Sequence, residues 1–501
     1  MAFSRKKQAK TETEVITKMK AVKLVCIVLL ATFQVHVVLS SQAGSAALTQ
    51  QQDAGMNVLW NQTYGGPNRD DAYSIVQTSD GGYAIAGSTT SFGAGGYDFW
   101  LLRISSIGEA LWNQTYGGAS DDNVRFMIQT SDGGYAIVGV TRSFSNGQTD
   151  MLLVKTTANG EMQWRKNYGG YSYDQAYSIV QTGGGGYTIA GYTESYGAGG
   201  RDVWLIKTDS AGNVVWNKTY GGARNDYVQQ AMIRASDGGY ALACCTESYG
   251  AGNSDFWVIK TDSSGNVQWN KTYGWTSWDE PHSIIQTDDG SYVIAGATKS
   301  VGAGDYDVWI LKISSSGIPQ WNSTYGGADY DGAKSVIPAT DGGYLLAGWT
   351  DSFGSGGHDL WLVKTDDNGD MQWNQTYGGA DDDLPFSIVV TGEDGYAIVG
   401  LTESYAVGGD DAWLLKLGLN TIEPHSMWTE WWFWIIVGLC ATNILSAFLA
   451  LRYYRRTKTL GKATKPEQAK TRKSESFITC SNCGAQLPAD AEFCGKCGNK
   501  L

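Results

Sequence analysis

The residues best suited to metal chemistry are four cysteines near the C-terminus. They form two Cys-x-x-Cys pairs separated by ten residues: Cys480, Cys483, Cys494 and Cys497. Each pair can direct two thiolates at one ion, and two such pairs make the tetrahedral four-sulfur site that suits Zn²⁺. Because protein ligands would fill all four positions, the sequence predicts a structural zinc site. Disulfides and unstructured thiols are the alternatives.

The segment that carries these cysteines, residues 477–501, is too short to bury a core of its own. A bound metal would therefore supply its folding free energy. Gly484 and Gly498 directly follow the two pairs, where tight turns need a positive φ. The segment is similar to short prokaryotic zinc-ribbon domains, and a reducing cytoplasm would disfavour disulfides.

A second group of candidate ligands is a set of aspartates repeated along the middle of the chain. One aligned position is aspartate in seven copies: Asp70, Asp122, Asp174, Asp226, Asp279, Asp331 and Asp383. A second set begins each Asp-x-Trp motif: Asp98, Asp150, Asp202, Asp255, Asp307, Asp359 and Asp411. Such carboxylates either bind calcium through oxygen ligands or brace loops by accepting amide hydrogen bonds. We expect both sets on one face, beside glycine-rich loops bearing Phe92, Phe144, Tyr196, Tyr249, Phe353 and Tyr405.

These aspartates belong to a seven-fold internal repeat. The segment Trp-Asn-Gln-Thr-Tyr-Gly-Gly and its equivalents begin at Trp60, Trp112, Trp164, Trp216, Trp269, Trp321 and Trp373. The spacing is 52 residues, with one interval of 53. The first unit contains four β-like runs, at 72–78, 83–89, 98–104 and 110–116, separated by turn signals. Four short antiparallel strands in about 50 residues predict an all-β fold, a seven-bladed β-propeller over 57–418.

The phase of the repeat predicts how the ring closes. The repeated segment starts with a fourth-strand motif at 58–66 and ends with a third-strand motif at 411–417. The last blade therefore lacks its own fourth strand, while the N-terminus carries a spare one. We expect residues 58–66 to complete blade seven, which also removes exposed sheet edges.

The repeat resembles the β-propeller repeats of prokaryotic, especially archaeal, surface proteins. The resemblance covers residues 57–418 and implies the fold, whereas propellers host many unrelated functions. The segment 260–269, Lys-Thr-Asp-Ser-Ser-Gly-Asn-Val-Gln-Trp, also resembles the repeats of quinoprotein dehydrogenases.

Charge divides the chain into three parts. The total of −13 includes +5 over residues 1–43 and +7 over 452–501, which leaves −25 for the middle. Because the acidic middle segment repels phosphate groups, we expect the propeller not to bind nucleic acid. Both basic ends adjoin an apolar run, as in a membrane protein with two cytoplasmic flanks.

The two apolar runs predict export and anchoring. The first lies in residues 1–43, a cleaved signal peptide or an uncleaved signal anchor. The second lies in 428–451; its last 21 residues are uncharged, flanked by tryptophans and followed by Arg452. The sequence thus predicts one transmembrane helix, a basic cytoplasmic linker at 452–476 and a cytoplasmic zinc ribbon at 477–501.

Enzymatic chemistry finds little support in the residue types. The four histidines are scattered: His36, His282, His358 and His425. Blade four reads Cys244-Cys245 where other blades read Gly-x. Because some quinoprotein dehydrogenases place a vicinal disulfide against their cofactor, that resemblance implies an exported redox or hydrolytic enzyme as the alternative function. In blade five, Trp275 replaces a glycine, and Trp278, Glu280 and His282 follow as the best local candidate for a ligand contact.

Six repeats carry an Asn-x-Thr sequon on the predicted outermost strand: Asn61, Asn113, Asn217, Asn270, Asn322 and Asn374. N-glycosylation and a polar ladder across strands both explain this pattern.

Together these features predict a single-pass surface protein without enzymatic activity. Its extracellular propeller would bind a protein or glycan, and its cytoplasmic zinc ribbon would bind a protein partner. Zinc is the expected cofactor, with calcium as a second candidate.

Overall fold

The computed structural model describes residues 55–392, 395–419, 452, 477–488, 491–498 and 500. They fall in two compact units, divided between Thr421 and Ile422. The predicted signal segment (1–43), the membrane helix (428–451) and all of the linker (452–476) except Arg452 lie outside the described residues. Within the part of the chain that is described, no helix has both the length and the apolar character needed to cross a membrane.

The first unit is a seven-bladed β-propeller, in which each blade is a four-stranded antiparallel sheet. Blade one consists of β2 (Asp70–Gln77), β3 (Tyr83–Thr89), β4 (Asp98–Ile104) and β5 (Ala110–Tyr116). Blade two consists of β6 (Asp122–Gln129), β7 (Tyr135–Thr141), β8 (Asp150–Thr156) and β9 (Met162–Tyr168). Blade three consists of β10 (Asp174–Gln181), β11 (Tyr187–Thr193), β12 (Asp202–Thr208) and β13 (Val214–Tyr220). Blade four consists of β14 (Asp226–Arg234), β15 (Tyr240–Thr246), β16 (Asp255–Thr261) and β17 (Val267–Tyr273). Blade five consists of β18 (Asp279–Gln286), β19 (Tyr292–Thr298), β20 (Asp307–Ile313) and β21 (Pro319–Tyr325). Blade six consists of β22 (Asp331–Pro338), β23 (Tyr344–Thr350), β24 (Asp359–Thr365) and β25 (Met371–Tyr377).

Blade seven is assembled from both ends of the propeller segment. Its inner strands are β26 (Asp383–Thr391), β27 (Gly395–Thr402) and β28 (Asp411–Leu419), and its outer strand is β1 (Met56–Tyr64). β1 pairs antiparallel with β28, with Thr63 opposite Trp413. The predicted ring closure is therefore confirmed, although the closing strand begins at Met56 rather than at residue 58.

Three of the four strand predictions for the first blade match the observed bounds, and the first strand differs. We expected it at 72–78 with Asp70 in the preceding loop, but β2 begins at Asp70 itself. The reason is a hydrogen bond between neighbouring blades, in which the Asp70 amide donates to the Asp410 carbonyl at 2.7 Å. The equivalent bond recurs at the start of the first strand in every blade, so each aspartate is fixed in the sheet.

The core lies between neighbouring blades because both faces of each sheet are buried. All seven residues of β3 and of β4 are buried. Between blades seven and one, Val399 and Leu414 pack with Ile75, Tyr83 and Trp100 in one cluster. Apolar burial thus continues across the join between the two ends of the segment, and it stabilises the closed ring.

In the described part of the second unit, a short hairpin carries the first Cys-x-x-Cys knuckle in its turn, and the second knuckle follows the hairpin. β29 (Phe477–Thr479) pairs antiparallel with β30 (Gln486–Pro488). Gly484 adopts a φ of 71°, which lets its amide turn back and donate to the Cys480 carbonyl at 2.9 Å. The turn places Cys480 and Cys483 side by side.

Candidate functional site

The four C-terminal cysteines converge on one point. Cys480 Sγ lies 3.7 Å from Cys497 Sγ, and Cys483 Sγ lies 3.5 Å from Cys494 Sγ. All four sulfurs are within 4.8 Å of one another. Thiolates on a tetrahedral zinc, each about 2.3 Å from the metal, are about 3.8 Å apart, so this spacing fits a zinc ion.

The arrangement is that of a closed structural site. Cys480 and Cys494 are buried, and the two knuckles repeat one turn, since the Gly498 amide donates to the Cys494 carbonyl as Gly484 does to Cys480. Four sulfur ligands leave no coordination position for water or substrate. A zinc ion bound here would be a structural metal that holds the two knuckles together.

The first set of aspartates lies buried at the start of each blade rather than on an exposed face. All seven side chains are 0% exposed. Asp70 accepts hydrogen bonds from the Gly66 amide and the Ser91 hydroxyl, both at 2.7 Å, and from the Thr89 hydroxyl. The amide bond from the residue four positions earlier recurs in every blade. These bonds tie the loop that joins successive blades to the loop that follows the second strand.

The second set of aspartates is buried as well and holds the loop between the second and third strands. In each blade one carboxylate oxygen accepts the amide of the residue four positions earlier, as Asp98 does from Ala94 at 2.7 Å. Burial raises the pKa of Asp98, and these amide bonds oppose the shift. Both sets therefore brace loops, while a calcium site among them stays a prediction.

One face of the propeller carries a circle of aromatic side chains, which we call the aromatic circle. It comprises Phe92, Phe144, Tyr196, Tyr249, Trp275, Phe353 and Tyr405. All except Phe144 are exposed, between 39% and 48%. Tyr249 shows the usual arrangement, since its ring lies 5.2 Å from that of Trp257 and its hydroxyl donates to the Gly221 carbonyl. Rings held in this way form a rigid, half-apolar surface.

Blade five explains why Trp275 belongs to this circle. Its loop carries Val301 where the other blades have Phe or Tyr. Trp275, from the neighbouring loop, covers Trp309 instead, with ring centroids 5.3 Å apart. Of the blade-five residues that the sequence singled out, Trp275 thus completes the aromatic circle, whereas Glu280 and His282 lie further in, at the central channel.

The central channel is lined by a ring of residues that differ from blade to blade. The first strand of each blade has a bulge after its third residue, as the register shift between Ala72 and Ser74 shows. The bulged residues form what we call the channel ring: Tyr73, Arg125, Tyr177, Gln230, His282, Lys334 and Phe386. They line a cavity of about 200 Å³.

The two cations of the channel ring lie beside aromatic rings. The Arg125 guanidinium lies 5.5 Å from the ring centroids of both Tyr73 and Tyr177. Its Nη1 makes a long hydrogen bond to the Val124 carbonyl, the Tyr73 and Tyr177 hydroxyls also lie within its reach, and its buried Nε has no partner among the described residues. The Lys334 ammonium lies 4.8 Å from the Trp349 ring.

Burial and neighbouring charges shift the pKa values of Lys334, His282 and Glu280. Burial lowers the pKa of Lys334 to about 8, and Glu280 opposes that shift. Burial, with Lys334 beside it, lowers the pKa of His282 to about 3. His282 is therefore neutral at pH 7, and its Nδ1 lies 2.8 Å from the Ala333 carbonyl oxygen. Burial raises the pKa of Glu280, the nearest acid to Lys334.

The paired cysteines of blade four are buried, free thiols. Burial raises the pKa of both Cys244 and Cys245, which keeps them protonated and poorly nucleophilic. Cys244 stands where six blades have glycine, and there the first strand bulges by residues 229–231 instead of by one. Gln230 in this bulge has a φ of 43°, unlike any other non-glycine residue of the described segments. The longer bulge makes room for the cysteine side chain and accounts for the 53-residue interval.

The six sequon asparagines are exposed on the outer strands. Four of them accept a hydrogen bond across the sheet from the buried indole of the Asp-x-Trp motif, as Asn270 Oδ1 does from Trp257 at 3.1 Å. The asparagines thus have a structural role, and glycosylation stays a prediction.

Of the channel ring, only His282 was predicted from sequence, because the motifs that mark the repeat are positions that hardly change between blades, whereas the ring residues differ. Residues that hold a loop by hydrogen bonds recur in every blade, because every blade has the same loops. A single binding site needs the opposite, one aligned column in which the residues differ. Aligning the seven repeats on the first-strand aspartate reveals such a column three residues later, with the insertion in blade four displacing one member.

Comparison with known proteins identifies the C-terminal unit. Residues 479–501 match the family model of the zinc-ribbon domain. Over 386 residues the chain is 22% identical to the regulatory protein FlaEY of Caulobacter vibrioides, an alignment that covers 70% of this chain and 38% of the relative. The chain therefore spans less than two fifths of that relative's length.

Solved structures similar to the propeller include Sqt1 from Chaetomium thermophilum, with a TM-score of 0.40 and 12% identity over 69% of this chain and 83% of that one. YCF48 bound to a D1 peptide has a TM-score of 0.40 and 14% identity, covering 73% of this chain and 100% of that one. By its own sheet topology and the family match, the protein combines a seven-bladed β-propeller with a C-terminal zinc-ribbon domain, an architecture suited to protein-interaction scaffolding.

Proposed function

We propose that this protein is a membrane-anchored, non-enzymatic recognition scaffold of the archaeal surface-protein type, whose extracellular propeller binds a protein or a glycan through the aromatic circle. The observation that carries the proposal is the exposure of six large aromatic rings on one rigid face. Aromatic side chains are enriched where proteins bind partners, because they bury much apolar area at little entropic cost. The charge of −25 over the middle of the chain argues against a nucleic-acid partner.

The placement of the domains is part of the proposal. The first apolar run would export the propeller, the second would span the membrane, and the basic residues after it would stay in the cytoplasm. There, reducing conditions keep the four cysteines available for zinc, and the ribbon would bind a cytoplasmic protein. Protease treatment of intact cells should digest the propeller and spare the ribbon. Digestion of the ribbon from outside would refute this orientation.

The binding experiment uses the full-length chain in detergent against a glycan array and a panel of purified surface proteins. Tyr249→Ala and Tyr405→Ala together should weaken capture of any ligand at least about tenfold. Ile107→Ala and Ile318→Ala make the matched control, since these exposed apolar residues lie in loops between third and fourth strands, at the opposite end of the blades. Equal loss in both double variants, or in neither, would contradict recognition through the aromatic circle.

The non-enzymatic assignment is supported by the two buried, protonated thiols of blade four, which are poor nucleophiles. Turnover of an offered substrate that is abolished by Cys244→Ala or Cys245→Ala would instead favour the exported enzyme.

A further inference from the structure

We propose that the channel ring is a binding site for a small organic anion, whose carboxylate or phosphate lies between Arg125 and Lys334 and whose flat apolar part packs on the surrounding aromatic rings. This site is separate from the aromatic circle and does not depend on the function proposed for it.

The sign of the ligand follows from the charges that face the cavity. Arg125 and Lys334 belong to blades two and six, and neither side chain forms an ion pair within 4.0 Å in the described residues. Arg125 is close enough for its charge to lower the pKa of Lys334. Two cations that lack an ionic partner repel each other, and an anion between them would be attracted to both and could accept from the unpartnered Arg125 Nε.

The acids around the channel do not replace such an anion. Asp71 is held by Arg69 at 3.3 Å and accepts the Tyr73 hydroxyl at 3.2 Å. Glu280 lies 4.0 Å from His282 Nε2 and forms no ion pair with Lys334. Burial also favours the neutral form of Glu280. A net positive charge therefore remains at the channel ring within an otherwise acidic domain.

The aromatic rings around the cavity indicate the shape and polarity of the uncharged part of the ligand. Tyr73 and Phe386 lie with their ring centroids 4.8 Å apart, and Tyr177 lies 6.1 Å from Tyr192. Aromatic cages also bind cations, but here Arg125 already lies over one face of each tyrosine and Lys334 over one face of Trp349. A second cation would be repelled. A cavity of about 200 Å³ accommodates a molecule of one small ring with its acidic group.

One residue of the channel ring has a backbone conformation that is costly for a residue other than glycine. Gln230 adopts its positive φ in the enlarged bulge of blade four and donates from Nε2 to the Arg125 carbonyl at 3.0 Å. It thereby links blade four to blade two across the channel. Strained backbone of this kind persists where surrounding structure imposes it and is found at binding sites.

The test is isothermal titration calorimetry on the full-length chain with three probes that share one ring: benzoate, phenyl phosphate and benzamidine. The two anions should bind and the benzamidinium cation should not. Lys334→Met and Arg125→Met should each weaken anion binding at least about tenfold, whereas Lys299→Met and Arg142→Met, which remove exposed cations, should leave it unchanged. The melting temperature of every variant is measured to establish that it is folded.

A charge-preserving variant separates recognition from packing. Lys334→Arg should retain binding at pH 7. In the wild type, affinity should fall between pH 7 and pH 9 as Lys334 loses its proton, while the arginine variant should show a smaller decrease. The groups facing Lys334 are Arg125, Glu280, His282 and Cys245. The pKa of His282 is about 3 and burial raises that of Cys245, so neither imitates this change, while burial also raises the pKa of Glu280. Because Glu280 is present in both proteins, the comparison with the arginine variant isolates the contribution of Lys334.

Three results would overturn the proposal: no heat with either anion, equal binding of benzamidine, or unchanged affinity in both methionine variants. A fourth arm offers an acidic hexapeptide. If the peptide competes and binds more tightly than either small anion, the anionic group comes from a protein partner and the small-molecule assignment is wrong.

Discussion

Replacing Gly191 with alanine should destabilise the propeller much more than replacing Cys244 with alanine, although the two positions are equivalent in their blades. Gly191 pairs with Ala176 beside the bulge of blade three, as Cys244 pairs with Val228 in blade four. A methyl group on Gly191 would lie 2.8 Å from both the carbonyl carbon of Gln175 and Cε of Met151, and closer still to the Gln175 oxygen. Non-bonded carbons prefer about 3.5–4.0 Å, so the backbone of β10 would have to move.

The expected cost follows from this overlap. Overpacking of a tight core costs about 1–3 kcal/mol, and the contact with immobile backbone places Gly191→Ala at about 3 kcal/mol or above. At about 2–4 °C per kcal/mol for large domains, the melting temperature should fall by about 6 °C or more. Cys244→Ala removes one buried sulfur where space already exists, so we expect about 1 kcal/mol and a fall of about 2–4 °C.

Differential scanning calorimetry of the full-length chain measures the unfolding transition of each variant. A Gly191→Ala melting temperature within about 2 °C of wild type, or an equal loss in Cys244→Ala, would refute the argument that the ordinary bulge requires glycine. A third variant, Cys244→Gly with Gln230 deleted, restores the 52-residue interval and should still fold.

Asn270→Ala should cost about 1–2 kcal/mol by chemical denaturation because the buried Trp257 indole loses its acceptor; Asn61→Ala is the matched control and should cost less, since the equivalent Trp413 indole has no partner in the described residues. Cys480→Ser should abolish stoichiometric zinc in metal analysis and unfold the ribbon, and a shift of the propeller transition would contradict independent units. Deleting residues 56–64 should remove cooperative unfolding, because β28 loses its partner strand; an unchanged calorimetric transition would mean that the ring closes otherwise. Lys334→Met should raise the melting temperature at pH 7. The folded pKa of about 8 lies below the unfolded value of 10.5, so the unfolded chain binds more protons between these values and wild-type stability rises with pH there. The difference between variant and wild type should therefore shrink from pH 8 to pH 10.5, and a constant difference would refute this explanation.

The candidate zinc site could be predicted almost entirely from the sequence. Its chemistry depends on four cysteines at fixed local spacing, and turns at Gly484 and Gly498 bring each pair together without help from distant residues. The channel ring could not be predicted in that way. Tyr73 and Lys334 are far apart in the chain, and they share a cavity only because the blades close into a ring.

The structure also changed the meaning of residues that the sequence had singled out. The repeated aspartates suggested a charged face, but each is buried and hydrogen-bonded to loops of its own blade and its neighbour. Cys244 suggested redox chemistry, and the structure places it as a buried free thiol beside an enlarged bulge. In both cases the deciding fact is a contact between strands, which a residue pattern alone does not contain.

The sequence by itself determined the number of blades, the strand order, the closing strand and the zinc ligands, because a 52-residue repeat and a Cys-x-x-Cys spacing are local patterns with one favoured structure each. Tertiary structure decided which side chains are exposed, which bulged residues face the channel and which charges lack a partner. Those properties depend on distances between strands and blades, which a local pattern does not contain. Within one repeat, the residues that are identical in every blade brace loops, and the residues that differ between blades surround the cavity.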